Sequence, residues 1–213
     1  MTDSAWPDVY ADPDQERLGT SATVVTGVRT LAAVAIAGAA VHQDSLELLI
    51  VSLAVYWVGD LLDGFVARVR GCETRIGAVM DIACDRLCAA AFYLGLAWTN
   101  PEFAAPVLIF LSEFIIIDLF LSLAFLAWPI RSPNYFYVVD RPLWLWNWSK
   151  PGKAANSAIF AVILLVSDSA VLGVVIATAL LVLKCASLGR LMRLGLPIPK
   201  RTAESMSAKG PER

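Results

Sequence analysis

The sequence predicts an all-α polytopic membrane protein, with six transmembrane helices and a short interfacial helix ahead of the first. Of its 213 residues, 58% are hydrophobic and 17% are charged, and the mean hydropathy is +0.65. Such a chain is too apolar for an ordinary soluble domain. The apolar residues also form several runs of about 20, the length of helix that crosses a hydrocarbon core roughly 30 Å thick.

The predicted organisation has three parts. Residues 1–20 are a cytoplasmic segment, in which Trp6 to Leu18 are expected to form the short interfacial helix. The segment is acidic and has no basic n-region, so it does not resemble a signal peptide. Residues 194–213 are a cytoplasmic tail that is predicted to be disordered. Between them, residues 21–193 form the membrane domain, whose predicted spans are 22–41, 46–66, 77–98, 103–128, 154–166 and 170–191.

The distribution of Lys and Arg predicts the orientation of these spans. The predicted loops near residues 42–45, 99–102 and 167–169 contain neither residue, whereas the other two loops and the tail contain several. Because cytoplasmic loops are enriched in Lys and Arg, we expect both termini on the cytoplasmic side of the cell membrane. The net charge of −2 gives no reason to expect a nucleic-acid partner.

Four aspartates lie at the predicted cytoplasmic ends of helices two and three. Asp60 and Asp63 are three residues apart, and Asp81 and Asp85 are four apart, so each pair shares one helix face. Carboxylates that converge at membrane depth repel one another unless positive charge lies between them. Hard oxygen ligands favour Mg²⁺, Mn²⁺ or Ca²⁺. The sequence therefore predicts a divalent-metal site, and two ions about 3.5–4 Å apart are the usual arrangement for displacement at phosphorus.

Small residues and one arginine accompany these aspartates. Gly64 and Ala67 lie four and seven residues after Asp60, and Gly77 opens the next predicted helix. Small residues there leave room for a ligand against the backbone, or serve helix packing, and the two readings are about equally supported. Arg68 could bind a phosphate bidentately, or it could be a positively charged anchor at the membrane surface.

The segment from Asp60 to Asp85 fits the pattern D-x2-D-G-x2-A-R-x8-G-x3-D-x3-D at every fixed position. This pattern resembles the signature of the CDP-alcohol phosphotransferase family (CDP-alcohol phosphatidyltransferase class I). The resemblance implies phospholipid biosynthesis, in which a phosphatidyl group moves from CDP-diacylglycerol to an alcohol in the bilayer, with release of CMP. It also implies Mg²⁺ or Mn²⁺ as cofactor, with two ions, and a homodimer. By the same resemblance Asp60, Asp63, Asp81 and Asp85 are metal ligands, Asp85 is also the catalytic base, and Asp60, Gly64, Ala67, Arg68 and Gly77 bind the CDP and phosphate groups.

The acceptor alcohol is less clearly encoded. Glycerol 3-phosphate is the first expectation, with phosphatidylglycerol (as in cardiolipin synthases) and inositol phosphate as alternatives. Family members that use glycerol phosphate often carry Arg-Glu in helix four, where this chain has Ser112-Glu113. A Gly-Lys-x-Lys-Thr string opens helix five in the family, but Ala155 and Asn156 replace its last two residues here. Both departures weaken the case for a phosphorylated acceptor.

Charged residues in helices four to six supply the candidates for acceptor binding. They are Glu113, Lys153, Lys184 and Arg190. A lysine within an apolar helix, such as Lys184, either has a function or extends its ammonium group to the membrane surface. The roles of Arg29 and Asp118 stay open.

Two other classes of protein compete with the transferase. Acids within membrane helices can line a cation or proton pathway, but a transporter needs no fixed Gly-Ala-Arg spacing beside them. A scaffold that keeps the fold without activity is the other alternative, and the intact pattern argues against it.

Overall fold

The computed structural model describes residues 9–195 and 197. Within this part of the chain the regular structure is helical, apart from one isolated β-bridge, which confirms the all-α prediction. We number seven helices in chain order. They are α1 (Ser21–Gln43), α2 (Leu46–Val69), α3 (Arg75–Thr99), α4 (Pro101–Ala127), α5 (Arg141–Asn147), α6 (residues 150–167) and α7 (Ala170–Leu194).

Four of these helices are long and apolar enough to cross a membrane, judged by length and composition. They are α1, α2, α4 and α7. The other two predicted spans correspond to α3 and α6, which are helical over 25 and 18 residues respectively. They are less apolar because α3 carries Asp81, Asp85 and Arg86, and α6 opens with Lys150 and Lys153. A bundle of six spans thus stays a prediction.

Hydroxyl side chains set the starting points of the long helices. Thr20, Ser45, Thr74 and Ser169 each accept a hydrogen bond from the backbone N–H three residues later, at the starts of α1, α2, α3 and α7. Such caps satisfy N–H groups that the helix itself leaves without a partner. The helix boundaries in the structure differ from the predicted span boundaries by three residues or fewer, except that the helix of the fifth predicted span begins at residue 150 instead of 154.

The N-terminal segment is not confirmed as an interfacial helix. In its described part the regular structure is one short 3₁₀ turn, Pro13–Gln15, and an isolated bridge between Tyr10 and Ile130. Trp6 lies outside the described residues, and so does the predicted tail from residue 198 onward. Glu16 instead accepts hydrogen bonds from the first two backbone amides of α3, where a negative charge stabilises a helix N-terminus.

Two clusters of buried side chains hold the bundle together. The larger one joins α1, α2, α3, α4, α6 and α7 and contains a group of aromatic rings, with Phe110 stacked on Phe160 at a centroid distance of 4.4 Å. The smaller cluster packs around Phe136, between the end of α4 and the connection to α5. Arg75, at the start of α3, donates through its Nη2 atom to the carbonyls of Leu126 and Trp128 at the end of α4. A cavity whose lining includes several charged side chains lies between the helices.

Candidate active site

A cavity of about 740 Å³ lies between the helices and is lined by the predicted site residues, with two exceptions. The residues that line it include Asp60, Asp63, Gly64, Ala67, Arg68, Gly77, Asp81, Asp85, Lys153 and Lys184. Glu113 and Arg190 do not belong to its lining. The size is ample for a nucleotide-sized ligand, since small-molecule sites commonly enclose about 300–1,000 Å³.

The aspartates converge as their spacing predicts. One carboxylate oxygen each from Asp60, Asp63 and Asp81 lies within 4.8 Å of the other two. Asp63 is 4% exposed, whereas the other members of the cluster are partly exposed to the cavity. Several carboxylate oxygens at this separation, reachable from a cavity, form a donor set that fits Mg²⁺ or Mn²⁺.

An arginine from helix α1 lies at the centre of this cluster. The Nε atom of Arg29 donates to Asp63 at 2.6 Å. Its Nη2 atom donates to Asp81 at 2.5 Å and to Asp85 at 2.8 Å. The side chain is 3% exposed, and Thr26, one turn earlier, donates to Asp63 at 2.9 Å. The chain thus supplies its own cation to the four carboxylates.

The small residues of the motif have different surroundings. A Cβ at Gly64 would lie 3.3 Å from Nη1 of Arg68, so the guanidinium folds over this glycine. A Cβ at Gly77 would lie 2.8 Å from Oγ1 of Thr74, the capping atom of α3. Gly77 therefore has a structural reason to lack a side chain, whereas a side chain at Gly64 would require the end of the Arg68 side chain to shift.

A second polar cluster lies in the same cavity, on α3, α4 and α7. Arg86 pairs with Asp118 and also donates to Ser122 at 3.1 Å. Lys184 is buried and donates to Asp118 at 2.5 Å and to Asn147 at 2.9 Å. Asp118 thus bridges two cations. The ammonium group of Lys184 does not extend to the membrane surface, because it is held by these buried partners.

The two remaining acceptor-binding candidates are placed elsewhere. Glu113 is 0% exposed, and neither of its carboxylate oxygens has a hydrogen-bond partner among the described residues. Arg190 makes two hydrogen bonds of 2.9 Å to Asp140, which also caps α5 through the Leu143 amide. The bonds from Arg190 and from this amide lower the pKa of Asp140. Arg190 is therefore engaged in a structural pair rather than presented to the cavity.

Sequence reasoning missed two residues that line the cavity, Arg86 and Asn147, and it did not predict the contacts of Arg29. Arg86 had one signal, its place directly after Asp85. Asn147 had none, because it falls between two predicted spans and its partner Lys184 is 37 residues away in the chain. Arg29 was noticed as a charge in an apolar helix, but 34 residues separate it from Asp63. No local spacing links the two, so only the packing of α1 on α2 reveals the contact.

Comparisons with known proteins found a matching family model and several similar sequences. A family model described as CDP-alcohol phosphatidyltransferase matches residues 19–186. A phosphatidylinositol phosphate synthase of Mycobacterium tuberculosis is 40% identical over 85 residues, which are 38% of this chain and 38% of that protein. The synthase of the same name from Mycobacterium marinum is 42% identical over 84 residues, 38% of this chain and 35% of the relative. The matches thus span well under half of these relatives. No solved structure matches the chain significantly.

Proposed function

Because the chain belongs to the CDP-alcohol phosphatidyltransferase family and is an enzyme of that kind, we propose that it transfers the phosphatidyl group of CDP-diacylglycerol to inositol phosphate, with release of CMP. Membership of the family supports phospholipid biosynthesis in a membrane. The choice of acceptor rests on one observation, the shared name of the curated relatives, phosphatidylinositol phosphate synthase. The expectation of glycerol 3-phosphate has no support from these relatives, and no observation favours phosphatidylglycerol.

The acid cluster is the proposed metal site. The family is generally dependent on divalent metals. Asp60, Asp63 and Asp81, whose oxygens lie within 4.8 Å of one another, would hold Mg²⁺ or Mn²⁺, and Asp85 would complete a site for two ions. Bound there, the cations would supply electrostatic stabilisation of the diphosphate and of the leaving CMP.

Asp85 is the proposed base. Its carboxylate lines the cavity, is 20% exposed and is oriented by the hydrogen bond from Arg29. In the proposed reaction, an acceptor hydroxyl oxygen forms a bond to the lipid-side phosphorus. The bond from this phosphorus to the oxygen of CMP breaks, CMP leaves with that electron pair, and the hydroxyl proton passes to Asp85. The reaction needs no covalent enzyme intermediate.

Positive side chains complement the anionic substrates. Arg68 lies against Gly64 with its guanidinium at the cavity wall, where it would bind a phosphate of the donor. Gly64, Ala67 and Gly77 would border the cytidine group. Lys150 and Lys153 are further cavity-lining cations, and we assign them to the phosphate of the acceptor in place of Arg190 and of the motif lysine that Ala155 replaces.

We further propose the wider arrangement that the loop charges predict. The membrane domain of residues 21–193 crosses the cell membrane six times, and the cavity and both termini face the cytoplasm. A homodimer is part of the same proposal and stays to be tested.

An acceptor screen tests the proposed function. Purified protein receives CDP-diacylglycerol and Mg²⁺ together with inositol phosphate, glycerol 3-phosphate, phosphatidylglycerol or serine, and CMP release is measured. We expect release with inositol phosphate and its loss on addition of EDTA. Release with another alcohol alone would refute the assigned acceptor but keep the enzyme class. No release with any of them, from folded protein, would contradict the transferase.

A further inference from the structure

The contact between Arg29 and the acid cluster places a fixed cation among the predicted metal ligands. The guanidinium makes three hydrogen bonds of 2.5–2.8 Å to Asp63, Asp81 and Asp85. Its Nη2 atom also lies 3.7 Å from Asp60. One side chain thus interacts with all four carboxylates of the motif.

The surrounding helices hold this side chain in place. A Cβ on Gly59 of α2 would lie 2.6 Å from both Cβ and Cδ of Arg29, so the arginine occupies the space that a side chain there would need. Its guanidinium also lies 5.6 Å from the ring centre of Tyr56. Arg29 is 4% exposed in total. These contacts make it a fixed part of the bundle rather than a surface charge that reaches the acids by chance.

Two consequences of opposite sign follow from this placement. Carboxylates gathered in a poorly solvated site repel one another, so an interposed guanidinium stabilises the arrangement when no metal is bound. The same positive charge repels a divalent cation that approaches those oxygens. Arg29 therefore favours the metal-free protein and opposes metal binding.

We propose that Arg29 is a resident cation of the metal site, a positioning residue that pre-assembles the four aspartates and weakens their affinity for divalent ions. The proposal rests on the metal site of the proposed function. It assigns to Arg29 a role in keeping the site open to exchange of metal, since ligands without an internal cation would bind the ions more tightly. Arg29 acts through the aspartates and need not touch the substrate.

The test compares wild-type protein with Arg29→Met in detergent micelles, with two readouts. The first is the midpoint of thermal unfolding after treatment with EDTA. The second is the dissociation constant for Mn²⁺, from the free-ion signal in electron paramagnetic resonance. We expect the metal-free midpoint of the variant to fall and its affinity for Mn²⁺ to rise by about tenfold or more. A residue that only supports the fold would lower both stability and affinity.

Two further variants complete the design. Arg190→Met is the matched control, because it removes an arginine from another arginine–aspartate pair that lies outside the cavity lining. It should lower the unfolding midpoint and leave the affinity for Mn²⁺ unchanged. Arg29→Lys keeps the charge but replaces the planar guanidinium with one ammonium nitrogen and so lacks the separate Nε donor to Asp63. It should lose metal-free stability without a gain in affinity. If Arg29→Met does not fold, the neutral Arg29→Gln replaces it.

The outcomes separate the two proposals. Equal or weaker binding of Mn²⁺ by the neutral variant, or an unchanged metal-free midpoint, would overturn the role of Arg29 and leave the transferase standing. A wild-type protein that binds no Mn²⁺ and releases no CMP would refute the metal site itself, and this inference with it.

Discussion

Asp118 on α4 and Lys184 on α7 form an ion pair inside the helix bundle, with 2.5 Å between Nζ and Oδ1. Lys184 is 0% exposed and Asp118 is 7% exposed. Asp118 also pairs with Arg86 of α3, so a single carboxylate contacts two cations and joins three helices at one side of the cavity.

This geometry predicts that substitutions of Asp118 and of Lys184 lower the free energy of unfolding by different amounts. Asp118→Asn removes the carboxylate that both cations contact directly and should destabilise the protein by about 3–5 kcal/mol. Lys184→Met leaves Asp118 paired with Arg86 and should cost less. The double variant should cost less than the sum of the two single changes, because each removes the same interaction. Thermal or denaturant unfolding in detergent measures the three values, and strict additivity would contradict a coupled pair.

Gly59 is predicted to be intolerant of any side chain. Gly59→Ala places a Cβ 2.6 Å from two carbon atoms of Arg29, and such overpacking typically costs about 1–3 kcal/mol. Displacement of Arg29 should also disturb the aspartates and reduce CMP release. Gly38→Ala on α1 is the control, since a Cβ there has no neighbouring atom within 4 Å. Equal thermal stability and activity of the two variants would show that Arg29 adapts freely.

Asp85 is predicted to be essential for turnover but not for folding. Asp85→Asn removes the proposed base and one hydrogen-bond acceptor of Arg29, so CMP release should fall by about 10²-fold or more. The helical circular-dichroism spectrum should stay unchanged. Asp168→Asn, in the turn between α6 and α7, makes the same chemical change at an exposed position and should be fully active. Undiminished release by the Asp85 variant would remove this residue from the mechanism.

The Asp140–Arg190 ion pair should make part of the free energy of unfolding depend on pH. The pKa of Asp140 is lowered in the folded protein, mainly by its hydrogen bond from Arg190. The ionised Asp140 therefore stabilises the folded protein above its unfolded-state pKa of about 3.9. This stabilisation is lost as the pH falls through the lower pKa of Asp140 in the folded protein. The unfolding midpoint of wild type minus that of Asp140→Asn should be constant between about pH 5 and 8 and shrink below about pH 4. A difference that grows on acidification would reverse the sign of the linkage.

The orientation of the bundle is open to chemical labelling. In a background without native cysteines, Asp44→Cys in the turn between α1 and α2 should react with a membrane-impermeant maleimide in intact cells. Arg70→Cys, at the end of α2, should react only after the membrane is opened. The reverse pattern would place the cavity on the outer side and overturn the orientation that the loop charges predict.

The helical class, the enzyme family and the convergence of the aspartates could all be predicted from the amino-acid sequence. These features are local. A spacing of three or four residues places side chains on one helix face whatever the rest of the protein does, and consecutive helices joined by a short loop bring two such faces together. Asp60, Asp63 and Asp81 accordingly meet as predicted.

The other charged side chains near the aspartates could be identified only from the packing of the helices. Arg29 of α1 lies among the aspartates, and Lys184 pairs with Asp118. Arg190 pairs with Asp140, and Glu113 does not line the cavity. These pairs are separated by 34 to 66 residues in the chain. Their contacts depend on how helices rotate and pack against one another, and glycine at position 59 is one such packing determinant. A local pattern can therefore predict that the aspartates converge, whereas the balance of charge around them is a property of the assembled bundle.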